Sequence, residues 1–494
     1  MNRRELINRA ALVIGVAVSP TLRLIARQRP EGVDPGKTMA DYPVSAAMTR
    51  LSTYMSDAKD RALPDEVIEQ AKRHILDTLA AIVSGSELSP GRAALAFARA
   101  YGGRPVATVI CDHALVGPIE AALVNGTMAH ADETDDTLAP GPWHPGSNVV
   151  PAALAVSEQF GINGMHFLRS VVLGYDVGTR VMAAIQPGMA NSHKLSYGIG
   201  GTFGSSAAAA CAASLNAQQM RWVLSYGAQQ SSGIESFPRD IEHIEKGFIF
   251  AGMPARNGVT AALLVHGGWN GVNDIMSGPD NFILANAATG NADALVDKLG
   301  ERYELTRANI KKWTVGQPIH APLDALEALL KKQPIDPAQI REIVVRYQPG
   351  SITDNSGATD INVQHAVAMM LTDKTVTFRS IHDRKRLQDP AIARLREKIR
   401  LDPGTQAARP PLFQITMNDG TKIVQDGTGP VLGTAQNPMS RDQVVAKCRD
   451  LMAPVLGAKQ TTRLIERTLA LDSVKDIREL RPLLQLARRQ GPAA

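Results

Sequence analysis

Residues 205–215 read SSAAAACAASL, a run made almost entirely of small side chains. Side chains this short let another helix approach closely, so the run predicts a helix at the centre of a helical bundle rather than on its surface. Working outward, LPDEVIEQAKRHILDTLAAIVSG (63–85) places Pro64, Asp65 and Glu66 where a first helical turn accepts them. Val67, Ile68, Ala71, Ile75, Leu79 and Val83 then form one apolar face, and Gly85 reads as the stop. A further helix is expected from Pro118 to about Ala129, which would deliver His130 at its C-terminal end.

The texture changes after about residue 300. REIVVRYQ (341–348) and LFQITMNDGTKIVQ (412–425) read as strands, the second with Phe413, Ile415 and Met417 alternating up to an Asp419-Gly420 hairpin turn. Helical patterning returns in SRDQVVAKCRDLM (440–452), with Ser440 as N-cap and Val444, Val445, Cys448 and Leu451 on one side. The expected class is therefore mainly α: a large all-helical domain over 45–300, a smaller α+β lid domain over 301–432, and C-terminal helices over 433–494 that return to the helical domain. Residues 1–44 stand apart. Arg3-Arg4 ahead of the apolar run Ala10–Val18 has the layout of a twin-arginine export signal, and 27–43 reads as a linker. The apolar run is too short for a stable membrane span, so a periplasmic protein is expected, with a cytoplasmic one as the alternative.

Composition narrows the function. Lys and Arg number 53 against 48 Asp and Glu, a mild excess of +5 without a dense basic stripe, so no nucleic-acid partner is expected. Cys111, Cys211 and Cys448 are scattered, which argues against a disulfide framework or a thiolate zinc site.

Chemistry concentrates in HADETDDTLAPGPWHPGS (130–147), where Asp132, Glu133, Asp135 and Asp136 lie between His130 and His144. The spacing is not that of a calcium loop, and no zinc-type grouping accompanies it, so no metal is expected. Clustered carboxylates beside histidines suit proton exchange near neutral pH. The plainer alternative is a loop in which Asp135, Asp136 and Thr137 tie down backbone amides. Three other stretches add candidates: NSHKLSYGIGGTFGSS (191–206) with His193, EHIEKGFIFAGMPARNG (242–258) with Lys246 and Arg256, and KKWTVGQPIHAPLDAL (311–326) with Lys311, Lys312 and His320. Taken singly, these residues read as structural histidines or solvated charges.

Taken together they form a recognisable series: NGTMAHADETDDT, HPGSNVVPAALAVSEQFG, GTFGSSAAAA, ARNGVTAALLVHGGWNGV, PIHAPLDALEALL and DGTGPVLGTAQNPMSRDQVVAKC. Their order and spacing resemble the MmgE/PrpD family over nearly all the chain after residue 45. The resemblance implies a helical domain with an α+β lid, a homodimer, and a cofactor-free site between the two domains for lyase or isomerase chemistry on small polycarboxylates. Carried over by position, it implies catalytic roles for His144, His193 and Lys246. It implies substrate-binding roles for Glu133, Asp135, Asp136, Thr137, Arg256, Lys311 and His320.

The sequence departs from the family pattern in four places. Glu133 stands where relatives often carry Asp, and an extra residue lies between Thr137 and His144. WTVG replaces an aromatic-Pro-x-Cys portion after Lys311, and the 246–258 stretch is longer.

Proton removal α to a carboxylate builds an enolate-like dianion, for which Lys246, Lys311 or Arg256 supplies fixed positive charge. His144 and His193 suit the base and acid, in either order, because an unperturbed imidazole titrates near about 6.5. The expected function is a lyase, dehydratase or decarboxylase, on a small anionic di- or tricarboxylate. The alternatives are an epimerase of related acids and a carboxylate-binding protein without turnover.

Overall fold

The computed structural model describes residues 42–138, 143–189, 193–287, 289–347, 354–403, 412–427 and 429–486. The arginine pair, the apolar run and most of the linker expected near the N-terminus lie outside them. Among the described residues the chain forms two bodies with separate cores, one almost wholly helical and one smaller and mixed.

The large body holds α1 (Ala46–Asp57), α2 (Asp65–Gly85), α3 (Ser89–Tyr101), α4 (Pro118–Ala129), α5 (Pro145–Phe160), α6 (Gly164–Ile185), α7 (Ser196–Ala212), α8 (Ala217–Gln230) and α9 (Ile244–His266). The small-residue helix α7 sits at its centre, packed against α5, α6, α8 and α9, with every residue from Gly198 to Ala212 buried. Its neighbours come close because neither side carries bulk at the crossing. A Cβ on Gly258 of α9 would sit 2.4 Å from the Ser205 Cβ. Helix α9 is long and apolar enough to cross a membrane, yet it is mostly buried in this bundle.

Helix α2 follows the expected pattern at its start, with Pro64 as N-cap and Asp65 and Glu66 in the first turn. Two details differ from the sequence reading. Its C-terminal half is buried on all sides, because α4, α5 and α6 cover one face while α14 and α15, defined below, cover another. Gly85 is still helical, and its role is contact: a Cβ there would meet the Met128 carbonyl oxygen at 2.0 Å.

Two short antiparallel ladders decorate this body, β1 (Ala107–Thr108) with β2 (Leu115–Val116), and β3 (Thr137–Leu138) with β4 (Ala308–Asn309). The small body is built from α10 (His320–Lys332), α11 (Val363–Asp373), α12 (Phe378–His382), α13 (Pro390–Glu397) and one sheet. Its strands β5 (Ile340–Arg346), β6 (Ile399–Asp402), β7 (Phe413–Met417) and β8 (Lys422–Gln425) lie in the order β6-β5-β7-β8. The β5–β6 pair is parallel and the other two pairs are antiparallel. The turn at Gly420, φ 91°, closes the β7–β8 hairpin. Thr416 is buried and Met417 only partly so, which shifts the expected alternation at the strand end.

The chain then returns to the large body through α14 (Arg441–Leu456) and α15 (Ala458–Leu469). Ser440 caps α14 with Gln443 as its reciprocal partner. All three cysteines are buried and free.

Candidate active site

Helix α4 ends at His130, and the following loop folds back so that its four acids point to different partners. Asp136 is the anchor. Its Oδ1 accepts from the Gly146 amide at 2.8 Å, and its Oδ2 takes the Tyr175 hydroxyl and His74 Nδ1, each at 2.6 Å. This ties the loop to α2, α6 and the first turn of α5, whose N-cap is His144.

Asp135 then faces inward. Its Oδ1 lies 3.0 Å from His130 Nδ1 and 3.2 Å from His144 Nδ1. A carboxylate only accepts, so each Nδ1 carries the hydrogen and each Nε2 is left as the free position. Burial pushes the Asp135 pKa up, but His144 and His130 outweigh it and hold the carboxyl well below its ordinary range. For His130, burial dominates, and the pKa falls to about 4. The His130 ring is therefore neutral at pH 7, stacked on Phe250 at 4.9 Å with an interplanar angle of 3°.

Glu133 collects the cations. Lys246 donates to its Oε1 and Lys311 to its Oε2 at 3.2 Å and to its carbonyl at 2.8 Å. Burial raises the Glu133 pKa, and the two ammoniums together bring it well below the usual carboxylate value. Local structure explains both approaches. The β3–β4 ladder leads the chain directly to Lys311, and α9 lies against α4, where Gly247 passes the His130 carbonyl at Cβ distance 2.9 Å. A π-helical turn at Phe248–Gly252 follows and sets Phe250 among His130, His144, Tyr197 and Phe237.

Five of the ten residues expected from sequence thus converge: Glu133, Asp135, His144, Lys246 and Lys311. Asp136 braces them from behind, and Thr137 lies at the rim, its hydroxyl 3.3 Å from Gln317 Oε1. His320 is buried in the small body, donating from Nε2 to the Val315 carbonyl at 3.1 Å, and burial lowers its pKa to about 3. Two residues are not brought in. His193 is exposed with φ 52°, outside the histidine contacts. Arg256 lies ten residues beyond Lys246 along α9, bonded to Asn257 Oδ1 and facing Phe248.

The structure adds groups that sequence reasoning passed over. His243 reaches the cluster beside His130, their ring centroids 5.3 Å apart. Asp360 and His382 come from the small body, where His382 Nε2 lies 3.3 Å from Asp132 Oδ2. Burial raises Asp132 to about 6. His243 stands three residues before Lys246 and was within the quoted stretch; nothing in its neighbours signalled Asp360.

Residues 49–293 match the MmgE/PrpD N-terminal domain, and residues 313–472 match the MmgE/PrpD C-terminal domain. The chain belongs to the MmgE/PrpD family. Within that family it is similar to the cis-aconitate decarboxylase of Aspergillus terreus, 24% identical over 91% of this chain and 98% of the relative. It is also similar to the human and mouse cis-aconitate decarboxylases, 23% and 24% identical, each over 86% of this chain. Lys311 falls between the two MmgE/PrpD segments, and α14 belongs by match to the C-terminal segment while packing on α2.

Two triplets, His130–Glu133–His243 and His130–Asp135–His144, bring ligand-type atoms within 4.8 Å of one another. Their chemistry disfavours a cation. Glu133 is already shared by two ammoniums and Asp135 by two imidazole N–H groups, so a divalent ion would have to displace those donors and sit beside two ammoniums.

The space beside the cluster lies between the two bodies. A cavity of about 30 Å³ touches Lys246 and His243, and one of about 300 Å³ touches His243, Asp360 and His382. A larger hollow of about 700 Å³, lined by Tyr42–Ser45 and 272–281, contains none of the candidate residues.

Proposed function

We propose that this protein is a lyase that removes carbon dioxide or water from a small di- or tricarboxylate, with cis-aconitate the first substrate to test. The observation that carries the reading is the Asp135 arrangement, one buried carboxylate fixing His130 and His144 with their Nε2 positions free, next to two ammoniums that share Glu133. Similarity to cis-aconitate decarboxylases supports the same reading.

An arriving polycarboxylate competes with Glu133 for Lys246 and Lys311. The ammoniums then face the substrate, where they stabilise charge that develops as the C–C or C–O bond breaks. His144 moves the proton in this reading, which the Asp135 contact supports by holding its tautomer and its orientation. The closed, apolar wall of Phe250 and Tyr197 excludes water that would weaken these interactions.

The test is direct. Purified protein is given cis-aconitate and a panel of hydroxy-tricarboxylates, and carbon dioxide release and new alkene absorbance are followed. Either signal supports a lyase. Deuterium entering substrate from solvent, with neither signal, replaces it with an isomerase, and binding without any exchange replaces it with a carboxylate-binding protein.

A further inference from the structure

His243 occupies an unusual position. Its backbone is left-handed at φ 62°, a conformation that strains a non-glycine residue, and its carbonyl accepts from the Gly247 amide at 2.9 Å. That bend buries the imidazole where the charged cluster, the small body and both cavities meet. Its Nδ1 lies 3.9 Å from Asp360 Oδ2 across the seam, and one ring nitrogen lies within 4.8 Å of a ring nitrogen of His130 and a carboxylate oxygen of Glu133. Its Nε2 is buried without a hydrogen-bond partner. A bare buried polar atom costs stability, and in His243 it belongs to a ring that lines both cavities at the seam.

We propose that His243 is a second proton-transfer residue that touches the substrate, and that Asp360 is its positioning residue, reaching it from the small body. The acid/base set is then complete only when the two bodies are together. This rests on the carboxylate-lyase reading above.

The surroundings fit the assignment. Lys246, His130, Glu133 and Asp135 face His243, while His382, Glu133 and Lys246 face Asp360. Burial, helped by Lys246 and His130, holds the imidazole well below its ordinary value, and burial raises the Asp360 carboxyl. The imidazole therefore rests neutral, and burial favours the acid form of Asp360, the form that has a proton to give.

In a decarboxylation the C–C bonding pair stays on carbon as carbon dioxide leaves. His243 Nε2–H protonates that carbon, and Asp360 passes its proton to Nδ1, ending as carboxylate. In a dehydration the same donor protonates the departing hydroxyl, which leaves as water with the C–O pair, while His144 takes the proton on carbon.

The experiment uses the full chain with cis-aconitate. His243→Gln should lower kcat by roughly 10²–10⁴-fold, with KM changed by less than about threefold. Asp360→Asn should lower kcat less and displace the pH profile, and Asp360→Glu should recover part of the loss. In parallel, ¹⁵N-histidine NMR of the wild type follows titration with tricarballylate, a saturated tricarboxylate. The His243 ring signals are assigned by their loss in the Gln or Asn variant, and they should move on binding. Failure of the wild type to process cis-aconitate overturns the substrate reading alone. Unchanged kcat in His243→Gln of an active enzyme, or ring signals unmoved by bound tricarballylate, overturns this inference.

Discussion

Asp135 Oδ1 lies 3.2 Å from Nδ1 of His144 and so decides which imidazole nitrogen is free to react. Replacing Asp135 with Asn puts an amide where the carboxylate was, which can donate to Nδ1 and reverse the tautomer. Turnover is expected to fall by roughly 10²–10⁴-fold, with far-ultraviolet circular dichroism unchanged. Steady-state kinetics check this, and retained kcat would remove His144 from the proton-transfer role.

Glu133 separates two buried ammoniums. Glu133→Gln leaves Lys246 and Lys311 with no counter-charge from that side, and breaking a buried pair costs about 3–5 kcal/mol. A thermal melt should show the loss. The double variant Glu133→Gln with Lys246→Met should be more stable than the single one, because one of the uncompensated charges is gone. A single variant that melts with the wild type would mean that solvent reaches the pair.

Stability on the acid side carries opposing signs. His130, lowered to about 4, takes up its proton near about 6.5 in the unfolded chain. The unfolded state therefore binds more protons between those values, and stability falls as pH drops through that window. Asp132, raised to about 6, works the other way, losing stability as pH rises from the ordinary carboxylate range through that value. Denaturant melts between pH 4 and 6 should show stability changing less positively with rising pH in His130→Gln, and more positively in Asp132→Asn, than in the wild type. Equal slopes in all three proteins would contradict the assignment.

Gly258→Ala should destabilise the bundle without touching the charged cluster. The new methyl would meet Ser205 side-chain and backbone atoms at 2.4–2.5 Å, and overpacking of this kind costs about 1–3 kcal/mol. A lowered Tm with kcat retained at low temperature is the expected result. A variant as stable as the wild type would show that α7 and α9 can separate without cost.

Much of this was legible from residue order. The central place of α7 follows from small side chains alone, and the start of α2 from Pro64, Asp65 and Glu66. The convergence of Glu133, Asp135, His144, Lys246 and Lys311 came from a resemblance in order and spacing.

What escaped sequence reading depends on contacts between distant segments. His74 lies on an apolar helix face and Tyr175 in the middle of α6, and only the folded bundle brings both to Asp136. Asp360 and His382 reach the site because the small body closes against the loop after α4, a relation with no local signature. His193 shows the reverse relation. Its place before the small helix suggested chemistry, while the fold turns it outward.

The return of α14 to the bed formed by α2 has a practical side for protein engineering. Dividing the gene between the two matched segments would give fragments that each inherit part of one common interior, since Val444, Cys448, Leu451 and Met452 are buried in the first core. The N-terminal fragment would expose the face of α2 that α14 covers, and the C-terminal fragment would carry that helix with nothing to receive it. Mixed together, the two halves should reassemble by complementation rather than behave as independent modules.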